Sequence, residues 1–172
     1  MKTLVAFFSR SGENYFAGQY KVVEVGNTEL AVNQICDFVP ADRFKIEMAQ
    51  PYSAVYKTCV AQSVQDFKSG ARPQLKNTLT SIAQYDTVIL AYPCYCGTAP
   101  MAVFSFIEQF DWAGKTVLPL CTNEGSGMGR SEADLRKACA GATVVKGLPI
   151  IGGAVSVAGD VIKDWLTENH LL

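Results

Sequence analysis

The chain carries a single histidine, His170 near its end, and no second close cysteine pair beside Cys94 and Cys96. A structural zinc site built from four nitrogen or sulfur ligands therefore has no obvious source, and no metal is expected. Positive charge is not in surplus: 15 Lys and Arg stand against 16 Asp and Glu, for a formal net charge of −1. That balance argues against a nucleic-acid partner, which needs basic side chains for phosphate. No apolar run reaches the length that spans a bilayer. The opening MKTLVAFFSR is apolar for only a few residues before Ser9 and Arg10, too few for a secretory core. The expectation is a cytoplasmic protein with no membrane partner. In that compartment six cysteines read as reduced thiols rather than a disulfide framework. Two phosphate motifs are also missing, the Gly-Lys-Ser/Thr of a Walker loop and a G-x-G-x-x-G after the first strand.

What is present is a repeated rhythm along 172 residues, a length that suits one domain over 1–172. TLVAFF (3–8), RFKIEM (43–48), TVILAY (87–92), TVLPLC (116–121) and TVVKGLPI (143–150) are short segments rich in branched and aromatic residues. The first, third and fourth are nearly continuous apolar runs, the pattern of strands buried on both faces. Between them lie helical spacings. Asn27 or Thr28 can cap a helix through Leu30, Ile35 and Phe38 to Pro40. Tyr56, Val60, Val64 and Phe67 mark a second that stops at Gly70. Pro100 suits the first turn of a third with Phe104 and Ile107. Ser131 and Asp134 resemble a capping box for a fourth ending at Gly141, and Asp160 can cap a last one carrying Ile162, Trp165 and Leu166.

Five strands alternating with five helices predict an α/β three-layer sandwich around a parallel sheet, because parallel neighbours need crossover connections. Ligands of such sheets sit beyond the carboxyl ends of the strands, where strand order reverses. Three loops then matter: SRSGENYFAGQYKVVEVGNT after strand one, PCYCGTAPM after strand three and CTNEGSGMGR after strand four. The first is rich in small hydroxyl residues and glycine and enters a helix through GNT at 26–28. Free amides and the positive end of a helix dipole bind phosphate there without lysine.

On LVAFFSRSG with GNT, DTVILAYPCYCGTAPMAVFSF and GKTVLPLCTNEGSGMGRS, in that order, the chain resembles the flavodoxin family, in particular its short-chain FMN-binding oxidoreductase branch. The resemblance implies a five-stranded parallel sheet of order 2-1-3-4-5 holding FMN noncovalently. Its phosphate would meet the first loop at Ser9, Arg10 and Ser11 and the helix start at Asn27 and Thr28. The second loop, Pro93, Cys94, Tyr95, Cys96, Gly97 and Thr98, and the third, Thr122, Asn123, Glu124, Gly125, Ser126 and Gly127, would flank the isoalloxazine, with Tyr95 as the stacking candidate.

Two departures from the family pattern stand out. Relatives run from the Ser-x-Ser/Thr-Gly turn straight into Asn-Thr, whereas here roughly Glu13 to Val25 intervene. ENYFAGQYKVVEV alternates like a hairpin, with three roles open: covering the cofactor, reaching a neighbouring subunit of a homodimer, or a solvent-facing insertion. The second departure is Cys94-Tyr95-Cys96. Cysteines one residue apart point to opposite sides of an extended chain, and bridging them would strain a small ring. They are read as small thiols shaping the loop.

Trp112 and Trp165 read as packing residues, His170 as surface, and Arg130 as a helix-start arginine paired with Glu132 or Asp134. The functional expectation is a redox enzyme passing electrons from NAD(P)H or a reduced protein to a small acceptor such as a quinone. No catalytic acid or base is required. The alternative is a flavodoxin-like carrier docking to redox proteins, for which a net charge of −1 supplies little steering field. A phosphoacceptor receiver would want aspartate where Tyr92-Pro93 stands.

Overall fold

The computed structural model describes residues 1–172. Five segments form the core of the parallel sheet: β1 (Thr3–Phe7), β4 (Asp42–Lys45), β5 (Thr87–Pro93), β6 (Thr116–Asn123) and β7 (Thr143–Val144), in the order β4-β1-β5-β6-β7. This is the expected 2-1-3-4-5. Every residue of β1 is buried because it is covered on both sides. Leu4 and Ala6 enter one apolar cluster and Val5 and Phe7 the other, as the two-residue side-chain period of a strand demands. On the first face lie α2 (Tyr56–Ser69), α3 (Met101–Ile107) and α4 (Ser131–Ala138), contributing Phe67, Phe106 and Leu135 among others. On the second lie α1 (Asn27–Phe38) and α5 (Gly159–Glu168), contributing Ile35, Ile162 and Trp165. No helix is long and apolar enough to cross a membrane.

Several boundaries differ from the sequence reading, each for a visible reason. The expected last strand is broken into β7 and β8 (Leu148–Ile151), both parallel to β6. Between them the Lys146 carbonyl accepts from Trp165 Nε1 at 3.2 Å and the Gly147 amide donates to Glu132 Oε1 at 2.6 Å, so side chains of α5 and α4 take groups a strand would use. The second strand ends at Lys45 rather than Met48, which instead bridges Leu75. The capping box at Ser131 does not form. Ser131 Oγ donates to the Met128 carbonyl, and Asp134 receives Thr98 Oγ1 at 2.7 Å and Arg130 Nε at 3.1 Å. Asp160 lies inside α5, whose cap position is Ala158. Trp112 is buried and His170 exposed.

The insertion after β1 is a hairpin, with β2 (Gly12–Phe16) antiparallel to β3 (Gln19–Val23). Its two-residue turn, Ala17 and Gly18, has φ of 46° and 92°, the left-handed pair that matches the twist of hairpin strands.

Candidate functional site

The chain leaves β1 for β4 on one side and then crosses to β5 on the other, so strand order reverses at β1 and β5. Beyond the carboxyl ends of these strands an open cavity of about 310 Å³ collects residues from all three loops. Ser9 and Arg10 come from the first, Asn27 and Thr28 from the start of α1, Pro93, Cys94 and Tyr95 from the second, and Thr122, Asn123, Glu124 and Ser126 from the third.

One end of this cavity is made of hydroxyls and backbone. Gly26, not Asn27 or Thr28, occupies the cap position of α1 and offers no side chain. Ser9 substitutes from across the loop, its Oγ accepting the Glu29 amide at 3.2 Å. Thr28, buried, places its Oγ1 2.7 Å from Thr122 Oγ1, which ties the helix start to β6. The packing is close enough that a Cβ on Gly26 would lie 2.4 Å from Ser9 Oγ and 2.5 Å from the Arg10 carbonyl oxygen. The first-turn amides of Asn27 and Thr28 have no intrahelical acceptor, and the helix dipole adds about 0.3–1 kcal/mol for an anion there. A phosphate monoester fits this cradle without a cationic side chain.

Arg10 does not serve it with its charge. The guanidinium turns away to the carbonyls of Glu13, Ser53 (2.7 Å) and Ala54 (2.8 Å), fastening the hairpin base to the segment before α2. Glu13 completes the joint, its carboxylate accepting the Tyr56 amide at 2.8 Å. At the far end of the ribbon the Ala17 amide donates to Glu124 Oε2 at 3.2 Å. The hairpin is thus pinned at its base and at its tip, and Asn14 and Tyr15 of β2, with Tyr56 of α2, join the cavity wall. The sequence reading placed neither tyrosine at the site. The available signal was the register of a two-residue hairpin, which sets Tyr15 opposite Tyr20.

Asn123 organises the third loop rather than offering its amide outward. Its Oδ1 accepts the Gly125 and Gly127 amides at 2.9 and 3.0 Å, and its Nδ2 donates to the Ile150 carbonyl at 3.2 Å. In the second loop the Cys94 amide donates to the Thr122 carbonyl at 2.9 Å, continuing the β5–β6 ladder by one step. Of the other thiols, Cys121 acts most strongly on Cys94. Hydrogen bonding from Cys121, helped by Ser126 and the Gly97 backbone and opposed by burial, pushes the Cys94 thiol down to about 6. The same interaction holds the buried Cys121 thiol protonated. Tyr95 lines the cavity, yet its hydroxyl lies 3.9 Å from Cys59 Sγ and its ring meets Phe8 edge-on at 5.9 Å.

Other expected residues fall outside this cavity. Ser11 lines a neighbouring cavity of about 450 Å³ on the β4 side, and Cys96 faces Tyr52, Ser63 and Phe67 beneath the loop. Thr98 is buried and spends its hydroxyl on Asp134. Gly97 accepts the Arg130 amide at 2.8 Å, and a Cβ on Gly129 would come within 2.2 Å of the Gly97 oxygen, so these glycines join the second loop to the third. Gly125 and Gly127 take φ of 125° and 61° and shape the turn. All six cysteines are free thiols, and no group of three or more His, Cys, Asp or Glu side chains is placed to hold a metal.

This arrangement has recognisable counterparts. A family model described as Flavodoxin matches residues 2–169. Among solved structures, a protein of Bacteroides uniformis ATCC 8492 assigned provisionally as a flavoprotein is 29% identical, with a TM-score of 0.78 over 96% of this chain and 97% of that one. A second such protein, from Bacteroides eggerthii DSM 20697, is 28% identical, with a TM-score of 0.71 over 94% and 98%. A flavoprotein of Lactobacillus acidophilus NCFM, solved in complex with FMN, shares the fold at 12% identity, with a TM-score of 0.65 over 91% and 97%. No curated protein matches. With its sheet order, its loops and a match over nearly its full length, the chain belongs to the flavodoxin family.

Proposed function

We propose that the protein is an FMN-dependent oxidoreductase that takes electrons from NAD(P)H or a reduced protein and delivers them to a small organic acceptor. The observation that carries this reading is the convergence of the loops after β1, β5 and β6 on one cavity, lined by Ser9, Asn27, Thr28 and Thr122 and also by Tyr15, Tyr56 and Tyr95. The Lactobacillus acidophilus protein that shares this fold was solved in complex with FMN, and the residues here fit that cofactor. When bound, the flavin supplies hydride and single-electron chemistry; the protein decides what reaches it.

Each part of the chain has a definable task in this reading. Ser9, Gly26, Asn27 and Thr28 hold the phosphate through hydroxyls and amides. Thr122 fixes Thr28, and Asn123 holds the third loop so that its backbone follows the polar edge of the ring. Cys94 lines the same cavity with its thiol pushed down from the ordinary value, chiefly by Cys121, and in its ionised form it would disfavour additional negative charge beside it. No side chain need transfer a proton to the flavin.

The hairpin favours an enzyme over a carrier. Pinned at Glu13 and Ala17, it adds Asn14 and Tyr15 to the cavity wall, which narrows the access that a docking protein would need. A net charge of −1 likewise gives a protein partner little long-range attraction. The test is anaerobic reduction of the FMN-loaded protein by NADH and by NADPH, followed by addition of a quinone. Rapid reduction by a nicotinamide and reoxidation by the quinone is expected. A protein inert to both nicotinamides and to the quinone, yet readily reduced by dithionite, would be a carrier.

A further inference from the structure

We propose that Tyr15 and Tyr56 form the docking face for a flat, uncharged aromatic acceptor, and that the inserted hairpin exists to supply it. This rests on the FMN reading above and specifies the class of molecule the same cavity admits.

Tyr15 of β2 and Tyr56 at the start of α2 stack with ring centroids 5.9 Å apart and planes 24° from parallel. Both line the cavity that contains Cys94 and Thr122. Tyr20, opposite Tyr15 in the hairpin register, closes the group at 5.9 Å from Tyr15 and 5.4 Å from Tyr56. Tyr15 is 37% and Tyr20 48% exposed, so these rings are not core packing. Large apolar surface grouped beside a cavity is the ordinary mark of a ligand-binding face.

The cluster is held at a fixed height. At the hairpin base the Glu13 amide donates to the Ala54 carbonyl at 3.2 Å, and Arg10 and the Glu13 carboxylate tie the same junction. At the tip Glu124 holds Ala17 at 3.2 Å. A ribbon fixed at both ends keeps the Tyr15 ring on the cavity wall beside Tyr56. Arg10 and Glu124, which line the cavity, and Glu13 beside Tyr56 are each engaged by backbone, and Cys94 adds no positive charge, which leaves tyrosine rings and hydroxyls to greet the ligand. Such a surface selects planar rings by stacking and offers an anionic head group no partner.

The experiment uses FMN-loaded protein and the naphthoquinone menadione as the probe. Its equilibrium binding to the oxidised protein is read from the perturbation of the flavin spectrum. Catalysis is read as the ratio of kcat/KM for menadione to that for ferricyanide, which needs no stacking face. Tyr15→Ala and Tyr15→Leu, the second preserving bulk in the strand, are expected to weaken menadione binding about threefold to tenfold. The ratio should fall in step, mainly through KM for menadione, while Tyr15→Phe binds as the parent does. Menadione binding equal in all four proteins would overturn the proposal, as would FMN affinity falling as much as menadione affinity, since the ring would then be holding the cofactor. A parent protein that takes up no FMN would instead defeat the cofactor reading, and this proposal with it.

Discussion

The hydroxyl oxygens of Thr28 and Thr122 lie 2.7 Å apart in a buried position, joining the first turn of α1 to the end of β6. This one contact couples the α1 end of the cavity to the third loop. Thr28→Val removes one hydroxyl and leaves the other buried without its partner, a loss of about 1–3 kcal/mol. Urea denaturation should register that loss, and FMN binding should weaken with it. Thr28→Ser keeps the hydroxyl and should retain most of both. Equal stability in the valine and serine variants would show that the bond contributes nothing.

Gly26 sets the spacing between the first loop and α1. Its φ of −71° suits any residue, so Gly26→Ala acts through space alone, placing a methyl group 2.4 Å from Ser9 Oγ and 2.5 Å from the Arg10 oxygen. Overpacking of this kind costs about 1–3 kcal/mol. The expected result is a lower urea midpoint together with loss of FMN binding at concentrations that saturate the parent. Unchanged binding would mean that the cradle tolerates widening and is not the phosphate site.

Cys94 should stand apart from the other thiols. Its pKa, pushed down to about 6 chiefly by the Cys121 hydrogen bond, leaves it ionised across neutral pH, whereas burial raises Cys139 to about 12. Thiolate is the reactive form. In the FMN-free protein, iodoacetamide should modify Cys94 at a rate that rises through a midpoint near pH 6 and then levels off, as mapped by peptide mass spectrometry. Cys121→Ala removes the donor and should move that midpoint upward. A midpoint that stays in place would assign the lowering to Ser126 and Gly97 instead.

Glu124 controls the hairpin tip. Glu124→Ala deletes the acceptor of the Ala17 amide, so hydrogen exchange at Ala17 and Gly18 should speed up while amides of β5 and β6 keep their protection. Because the bond is exposed, global stability should change by no more than about 1 kcal/mol. Exchange at the turn that matches the parent would show that the ribbon stays in place without this latch.

The sheet was legible because its central strands are covered on both sides and so must be apolar at nearly every position, as TLVAF and TVILAYP are. The hairpin was legible from its alternation. The last strand was not, since the groups that interrupt it, Glu132 and Trp165, lie 15 and 19 residues from their backbone partners Gly147 and Lys146. Arg10 shows the same difficulty at the site. An arginine beside a phosphate loop reads as an anion ligand, and only the fold reveals that carbonyls at Ser53 and Ala54, more than 40 residues onward, claim it. Cys94 was recognised, but its thiol neighbour comes from the adjacent strand, where Cys121 pairs with Tyr92 in the parallel register. Cavity walls assembled from distant segments, such as Tyr15 against Tyr56, leave little trace in local sequence.

The most direct test is a fluorescence titration of FMN with the apoprotein, run beside riboflavin, which lacks the phosphate. The account predicts saturable quenching at one FMN per chain, much weaker binding of riboflavin, and loss of that preference in Gly26→Ala. Fluorescence that stays constant as protein is added, or equal affinity for FMN and riboflavin, would contradict a phosphate cradle at the start of α1.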